Sequence, residues 1–197
     1  KGPQFRVNAR RGKGQETGVS LQAPQSVQKL QTALHAKAKD EPAFRFYALY
    51  DKVYRGDVLA HAWRLTKANG GAAGVDGQSF SDIGDYGVER WLGELAEDLR
   101  KKTYRPRAVR RVYIPKPDGR KRPLGIPTIR DRVAQMAAVL VLAPIFEADL
   151  EPEQYAYRPG RSAHDAVRHV HRLLNTGRRD VVDAAADEAT GILVDRF

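Results

Sequence analysis

RRVYIPKPDGRKRPLGIPTIRDR, residues 110–132, is the most distinctive segment of this chain. It predicts two short strands joined by a tight turn at 117–119, since proline and glycine favour a chain reversal, and then the start of a helix. A hairpin with so many cations is poorly suited to burial and well suited to contact phosphate groups. We therefore expect an exposed hairpin and a polyanionic partner. Its cations are Arg110 and Arg111 on the first strand, with Lys116, Arg120, Lys121 and Arg122 at the tip and the return.

The composition favours nucleic acid as that partner. The chain has 197 residues, a formal net charge of +10 and 42% hydrophobic residues, which is enough apolar material for a packed core. Lys and Arg number 13 between residues 100 and 132, against two Asp, so the positive charge is concentrated around the hairpin. Such a local excess favours nucleic acid over a membrane surface. The lack of cysteine in the sequence excludes disulfides, and no apolar run is long enough for a transmembrane helix.

Changes in composition predict three regions. Residues 1–43 form a basic N-terminal arm with little to bury, which we expect to be mobile until it binds a partner. Its apolar residues at 27, 30 and 34 have the spacing of a short amphipathic helix, and the helix and the solvated tail stay open as alternatives. Residues 44–177 form the main region around the hairpin, and residues 178–197 begin with a short apolar strand.

Helix signals precede the hairpin within the main region. Apolar residues recur at helical spacing in 44–54, 58–65 and 91–99. The glycines of 70–77 (GGAAGVDG) predict a loop that ends the second of these helices. As a phosphate-binding loop this segment is weak, because it lacks the lysine of a P-loop.

Two capping boxes follow the hairpin, and each is expected to open a helix. The first helix is strongly apolar, and we expect Pro144 to kink or end it. The second covers about 163–174, and we expect its apolar residues to face inward. The two capping pairs are Thr128 with Asp131 and Ser162 with Asp165.

Five linked motifs occur along residues 45–183. They are GVDG at 74–77, YRP at 104–106, IPK and DG at 114–119, RPLGIPTIRDR at 122–132 and YRPGRSAHDA at 157–166. In this order they resemble the N-terminal motifs of bacterial group II intron reverse transcriptases, also called maturases. The resemblance implies an α+β fold, namely reverse-transcriptase fingers, made of helices plus a basic β-hairpin, with an incomplete palm.

The resemblance also implies roles for individual residues. Lys116 and Arg122 are expected to hold the triphosphate of the incoming nucleotide. The implied partners are an RNA template, a deoxynucleoside triphosphate and a DNA primer, in the cytoplasm of a bacterium and without a membrane. The family uses Mg²⁺, because divalent ions activate the primer 3′ oxygen and neutralise the leaving pyrophosphate. RNA contacts are expected at Arg110, Arg111, Arg132, Gln135, Arg158, Gly160 and Arg161.

The chain departs from the family pattern where the palm is expected to begin. The family has VVDAD there, and its second aspartate binds the metal ions, but here Asp183 and Ala184 are followed by Ala185. Asp187 would replace the missing aspartate only after a two-residue slip, and the surrounding residues lack the apolar alternation of a strand. We therefore expect residues 178–197 to be a truncated or altered start of the palm. The chain alone is expected to hold no metal ion, to contain no catalytic residue and not to polymerise.

Three functional hypotheses stay open at this point. The chain is a fragment of an RNA-directed DNA polymerase, a non-catalytic RNA-binding module of the maturase type, or a decayed fragment without activity. The third hypothesis predicts exposed apolar faces on the helices at 131–148 and 163–174. No pattern in the sequence indicates an oligomeric state.

Overall fold

The computed structural model describes residues 21–117, 119–156, 158, 160–178, 182–187 and 191–196, the last two ranges as backbone. Within these ranges the chain forms seven helices and two antiparallel hairpins, which agrees with the predicted α+β class. The described residues fall into two compact units, divided between Leu150 and Glu151. The helices are α1 (Gln25–Asp40), α2 (Tyr50–Val53), α3 (Gly56–Asn69), α4 (Phe80–Tyr86), α5 (Val88–Arg100), α6 (Ile129–Asp149) and α7 (Ala163–Asn175), and the strands are β1 (Arg110–Pro115), β2 (Lys121–Ile126), β3 (Val182–Asp187) and β4 (Gly191–Arg196).

The core of the first unit lies between α1, α3, α5 and α6. Helix α5 shows why the sequence pattern succeeds here: Trp91, Leu95 and Leu99 recur every four residues, lie on one face and are buried. The Trp63 ring of α3 packs against the Trp91 ring, with 5.5 Å between their centroids. Burial of each large apolar side chain contributes about 1.5–3 kcal/mol to folding. The helices predicted at 58–65 and 91–99 are confirmed, whereas the helix predicted over 44–54 is present only at Tyr50–Val53.

Helix α1 belongs to this core. Val27 is fully buried, and Gln31 is buried with its side-chain amide directed at α6. Gln31 Nε2 donates to the Leu140 carbonyl oxygen at 3.0 Å, and Lys39 Nζ donates to the Ala148 carbonyl oxygen at 3.3 Å. The two contacts occur in the same order along both helices, so α1 and α6 run parallel. For this part of the predicted arm the structure shows the helix and not the solvated tail, whereas residues 1–20 lie outside the described residues.

Pro144 neither ends α6 nor separates it into two elements, so the expectation that it ends the helix is wrong. It lies inside the helix and is fully buried. A proline has no backbone N–H, so the carbonyl oxygen four residues earlier, that of Leu140, loses its helical partner. Gln31 supplies the missing donor from α1. The interhelical contact thus satisfies a buried backbone group that the proline leaves without a hydrogen bond.

Helix α7 belongs to the second unit. The predicted capping box is confirmed, because the Ser162 hydroxyl accepts from the Asp165 backbone N–H and the Asp165 side chain accepts from the Ser162 backbone N–H. The expectation that the apolar face of this helix points inward is wrong within the described residues. Val167, Val170 and Leu174 are 68%, 55% and 48% exposed. This exposed face is what the third hypothesis predicted for α7.

Strands β3 and β4 form an antiparallel hairpin, in which Ala184 pairs with Val194 and Ala185 with Leu193. The expectation that the residues after Ala184 cannot hold a strand is therefore wrong for the backbone. The side chains of Asp183 and Asp187, which bear on the predicted loss of the metal site, lie outside the described residues. No helix within the described ranges combines the length and the apolarity needed to cross a membrane.

Candidate nucleic-acid interface

The predicted hairpin is present and exposed. Strands β1 and β2 pair antiparallel, and the turn closes where the Lys116 backbone N–H donates to the Arg120 carbonyl oxygen at 2.7 Å. Gly119 has a φ of 78°, which only glycine adopts without strain. Every residue of both strands is exposed except Ile126, which is half-buried. The hairpin therefore projects from the first unit and is not part of its core.

The register of the strands sorts the hairpin side chains onto two faces. Residues paired across an antiparallel ladder share a face, so Arg122 lies on the same face as its partner Ile114 and next to Leu124. Lys116 follows β1 at the tip, one residue before the turn proline. The two residues that the family resemblance assigns to the triphosphate thus lie close together at the free end. Their role stays a prediction.

Five cations of the hairpin are not neutralised by other side chains of the described residues. Within the described residues no ion pair involves the side chains of five of these cations, and all five are exposed. Several carboxylates elsewhere on the same unit are already paired, among them Asp98 with Arg130, and Glu97 with Arg100 and Lys101. The free positive charge of the first unit is therefore concentrated at the hairpin. The five cations are Arg110, Arg111, Lys116, Lys121 and Arg122.

The head of α6 contains three consecutive charged residues, and each of them has a partner in the first unit. Arg130 pairs with Asp98 of α5, and its guanidinium lies over the Trp91 ring. Asp131 is buried and accepts hydrogen bonds from three groups, which are described below. Arg132 is directed at the loop 70–77. The predicted RNA contact Gln135 is exposed one turn further along the helix.

Arg132 holds the loop 70–77 through two backbone carbonyls. Its Nη1 donates to the Gly70 carbonyl oxygen and its Nη2 to the Ala72 carbonyl oxygen, both at 2.9 Å. The guanidinium also stacks over the Phe80 ring, 5.4 Å from its centroid. Burial lowers the pKa of Arg132, which remains charged. The structure thus gives this predicted RNA-binding side chain intramolecular partners, and its role toward RNA stays a prediction.

Gly74 explains why the GVDG motif needs a glycine at its first position. A Cβ atom at Gly74 would lie 2.6 Å from the Thr128 Cα and 2.9 Å from the Pro127 carbonyl carbon. Backbone cannot yield at such distances, so only glycine allows the loop to approach the start of α6. The sequence marked this loop only as a weak phosphate-binding candidate. Its contact with α6 is instead structural.

The Asp131 carboxylate connects the two ends of the hairpin. Its Oδ2 accepts from the Arg107 backbone N–H at 3.2 Å and from the Thr128 hydroxyl at 2.7 Å. Its Oδ1 accepts from the Tyr104 hydroxyl. Burial, and then the hydrogen bond to Asp131, raises the pKa of Tyr104, so that the phenol stays protonated and donates. The sequence marks Thr128 and Asp131 as a capping pair and YRP as a motif, but no local pattern indicates the contact between them.

A cleft of about 880 Å³ opens beside this network. It is lined by α5, by residues 103–107 and by the head of α6. Most of the charges in its wall are paired, for example Arg130 with Asp98 and Arg90 with Glu94. Such compensated charge gives little attraction for a polyanion. The hairpin is therefore the stronger candidate for the nucleic-acid interface.

The second unit contains the predicted template contacts Arg158, Gly160 and Arg161. Arg158 is half-buried, and its Nη1 donates to the carbonyl oxygens of Glu151 and Gln154. Gly160 has a φ of 75°, a conformation that glycine favours. The Arg161 guanidinium lies over the Tyr155 ring, 5.1 Å from its centroid. Residue 157, before Arg158, and residue 159, after it, lie outside the described residues. The template role of this segment stays a prediction.

Comparison with known proteins bears directly on the motifs around the hairpin. Over 147 residues the chain is 38% identical to protein YkfC of Escherichia coli strain K12, an alignment that covers 73% of this chain and 38% of that protein. Over 136 residues it is 35% identical to the group II intron-encoded protein LtrA of Lactococcus lactis, covering 68% of this chain and 22% of that protein. The chain is a relative of group II intron-encoded proteins and intron maturases. This finding confirms the family resemblance.

The chain, a relative of group II intron maturases, is also similar to a plant protein. Over 43 residues the chain is 37% identical to nuclear intron maturase 2, mitochondrial, of Arabidopsis thaliana, an alignment that covers 22% of this chain and 6% of that protein. The alignments with YkfC and LtrA span 38% and 22% of the length of those proteins. No family model matches the chain.

Proposed function

We propose that this chain is the fingers region of a group II intron reverse transcriptase, with the start of its palm, and that its hairpin binds the RNA template and the incoming deoxynucleoside triphosphate. One observation carries the proposal, namely the exposed hairpin on which Arg110, Arg111, Lys116, Lys121 and Arg122 have no ion pair within the described residues. The relation to intron-encoded proteins supports the assignment of that surface to RNA. The proposed setting is the bacterial cytoplasm.

The chemistry of nucleotidyl transfer explains why such a hairpin is useful. The triphosphate carries several negative charges, and more charge develops on the leaving pyrophosphate as the bond to the α-phosphate breaks. Lys116 supplies a compact ammonium donor, and Arg122 supplies a planar guanidinium that can bind two oxygens at once. Both side chains are exposed near the tip, where a nucleotide can reach them without desolvating the core.

Mg²⁺ would neutralise the pyrophosphate and activate the primer 3′ oxygen when bound in the palm. Within the described residues no group of three or more carboxylate or histidine side chains could hold such an ion. We assign no residue of this chain to the metal site. The proposal for this chain concerns binding and orientation of the template and the nucleotide.

A salt titration of RNA binding tests the hairpin assignment. The chain is titrated with a single-stranded RNA oligonucleotide at several salt concentrations, and log Kd is plotted against log[salt]. Replacing Arg110 and Arg111, the predicted RNA contacts of the hairpin, by Ala together should weaken binding and reduce the slope by about 0.7 for each lost phosphate contact. The matched control replaces Lys29 and Lys67, which are exposed on α1 and α3, by Ala. An equal loss of slope in the control, or none in the hairpin variant, contradicts the assignment.

A second candidate function is RNA binding without polymerisation, as in a maturase-type module. It is favoured by the same exposed hairpin, because cations can bind the phosphates of RNA without the metal-binding carboxylates that polymerisation needs. Primer extension on an RNA template with Mg²⁺ separates the two functions. We expect no extension product from this chain alone, and robust extension would show that our account of Ala185 and the missing metal ligand is wrong.

A further inference from the structure

We propose that Asp131 is a positioning residue that fixes the orientation of the basic hairpin by holding both of its ends. The inference deepens the proposed function, because it concerns the same hairpin and rests on its role as a nucleic-acid interface.

The attachment of the hairpin is narrow. All of β1 and most of β2 are exposed, so the strands bury little surface that could set their orientation. The chain enters the hairpin through residues 107–109 and leaves it through residues 127–128. A two-stranded hairpin without a packed face is marginally stable by itself. Its position relative to the first unit therefore depends on what holds these two ends.

Asp131 contacts both ends at once. The Arg107 backbone N–H, on the entering segment, and the Thr128 hydroxyl, on the leaving segment, donate to the same Oδ2 atom, at 3.2 Å and 2.7 Å. The Tyr104 hydroxyl donates to Oδ1 and adds an aromatic side chain that packs against the core. Thr128 is buried and also caps α6, since its hydroxyl accepts from the Asp131 backbone N–H at 3.1 Å. The hairpin is thus tied to the buried part of the unit.

A carboxylate suits this position better than other side chains. It offers two oxygens and no donor, so it can accept from a backbone N–H, a hydroxyl and a phenol together. Hydrogen bonds to an ionised acceptor are shorter and stronger than those between neutral groups. Its negative charge also lies in the first turn of α6, where the helix dipole stabilises it. An asparagine retains one acceptor oxygen and can donate to the phenol oxygen, so it should preserve part of the network.

The experiment combines hydrogen exchange with RNA binding in three variants of the whole chain. Tyr104→Phe deletes one donor, Asp131→Asn is the conservative replacement and Asp131→Ala removes the acceptor. We expect amide exchange in 110–115 and 121–126 to rise about 2- to 10-fold in Tyr104→Phe, and less in Asp131→Asn. Exchange in α3 and α5 should stay unchanged. Arg111→Ala serves as the control, because it removes a predicted RNA contact of the hairpin and leaves the contacts at the hairpin ends intact.

The salt dependence of RNA binding distinguishes positioning from direct contact. A positioning variant should weaken RNA binding by about 2- to 10-fold while the slope of log Kd against log[salt] keeps its wild-type value. Arg111→Ala should reduce the slope by about 0.7 and leave the exchange of the hairpin amides unchanged. A reduced slope in Tyr104→Phe would assign a direct phosphate contact to this network and overturn the proposal.

The remaining outcomes also decide the matter. If amide exchange rises equally in the hairpin, α3 and α5, Asp131 and Tyr104 contribute only to global stability. If the exchange rate of the hairpin amides does not change, these two residues do not hold the hairpin. Either result overturns the inference. If Asp131→Ala does not fold, Tyr104→Phe and Asp131→Asn still test it. If the wild-type chain does not bind RNA, the proposed function fails, while the exchange data still decide whether the hairpin ends are held by Asp131.

Discussion

Replacing Gln31 by Leu should expose the dependence of α6 on α1. The substitution keeps the side-chain volume but removes the donor that satisfies the Leu140 carbonyl oxygen at 3.0 Å. Both residues are buried, so water cannot take the place of the lost donor. Leaving a buried carbonyl without a hydrogen bond costs about 1–3 kcal/mol. We expect the free energy of unfolding to fall by that amount.

Repeating Gln31→Leu in a Pro144→Ala background tests specifically whether Gln31 compensates for the proline. Alanine restores a backbone N–H at 144, which can donate to the Leu140 carbonyl oxygen in the ordinary helical pattern. Gln31→Leu should then cost about 1 kcal/mol or less, and the double-mutant cycle should give a coupling of about 1–2 kcal/mol. Loss of the buried proline ring has its own cost, but the cycle cancels it.

Urea denaturation followed by circular dichroism measures the four free energies of the cycle. The control variant Thr32→Leu introduces the same side chain at the neighbouring residue, which is exposed, and should change stability by about 0.5 kcal/mol or less. Equal costs of Gln31→Leu in the wild-type and the Pro144→Ala backgrounds would refute the reasoning. In that case the hydrogen bond to Leu140 would not compensate for the proline.

Two further predictions concern single positions in the first unit. Gly74→Ala should destabilise the chain by about 1–3 kcal/mol, because its Cβ would overlap the Thr128 backbone. The control Gly93→Ala, with open space around it in α5, should be neutral or stabilising by up to about 1 kcal/mol. Thermal denaturation compares the two variants. His61 is buried, and burial, followed by the charge of Arg64, lowers its pKa below the usual 6.5. The unfolded chain therefore binds a proton that the folded chain does not bind, so stability should fall as the pH drops below about 6.5, with a slope of at most about 1.4 kcal/mol per pH unit. The urea midpoint between pH 7.5 and 5 measures this loss, and an unchanged slope in His61→Gln would assign it to other groups.

Local patterns were sufficient for the elements themselves. The turn residues at 117–119 and the alternation along 110–115 predicted the hairpin, because turn chemistry and strand period act over a few residues. The four-residue spacing of Trp91, Leu95 and Leu99 predicted both α5 and its buried face. Capping pairs gave the start of α7 for the same reason, since donor and acceptor lie three residues apart. The composition of residues 110–122 was also sufficient to predict the positive charge of the hairpin.

Local patterns gave wrong or incomplete expectations where the environment of a residue depends on residues far away in the sequence. Pro144 was expected to kink or end α6, but Gln31, 109 residues before Leu140, replaces the missing hydrogen bond. The apolar residues of α7 have the spacing of a buried face, yet periodicity does not say whether another element covers that face. The RNA role that the family resemblance gives Arg132 stays a prediction, but no local signal showed that its guanidinium reaches carbonyls 62 and 60 residues away.

By itself, the sequence determined that this protein has a basic, exposed hairpin between amphipathic helices and that it is related to intron-encoded proteins. Periodicity, turn residues and charge are local properties, and they carry this information without reference to the rest of the chain. Only the tertiary structure decided which charges remain available to a partner. Asp131 meets Tyr104 across 27 residues and the Arg107 backbone across 24, while Arg132 is committed to the loop 70–77. Hydrogen bonds between such distant groups form only after the helices pack, because packing brings the groups together and excludes the water that would otherwise bind them.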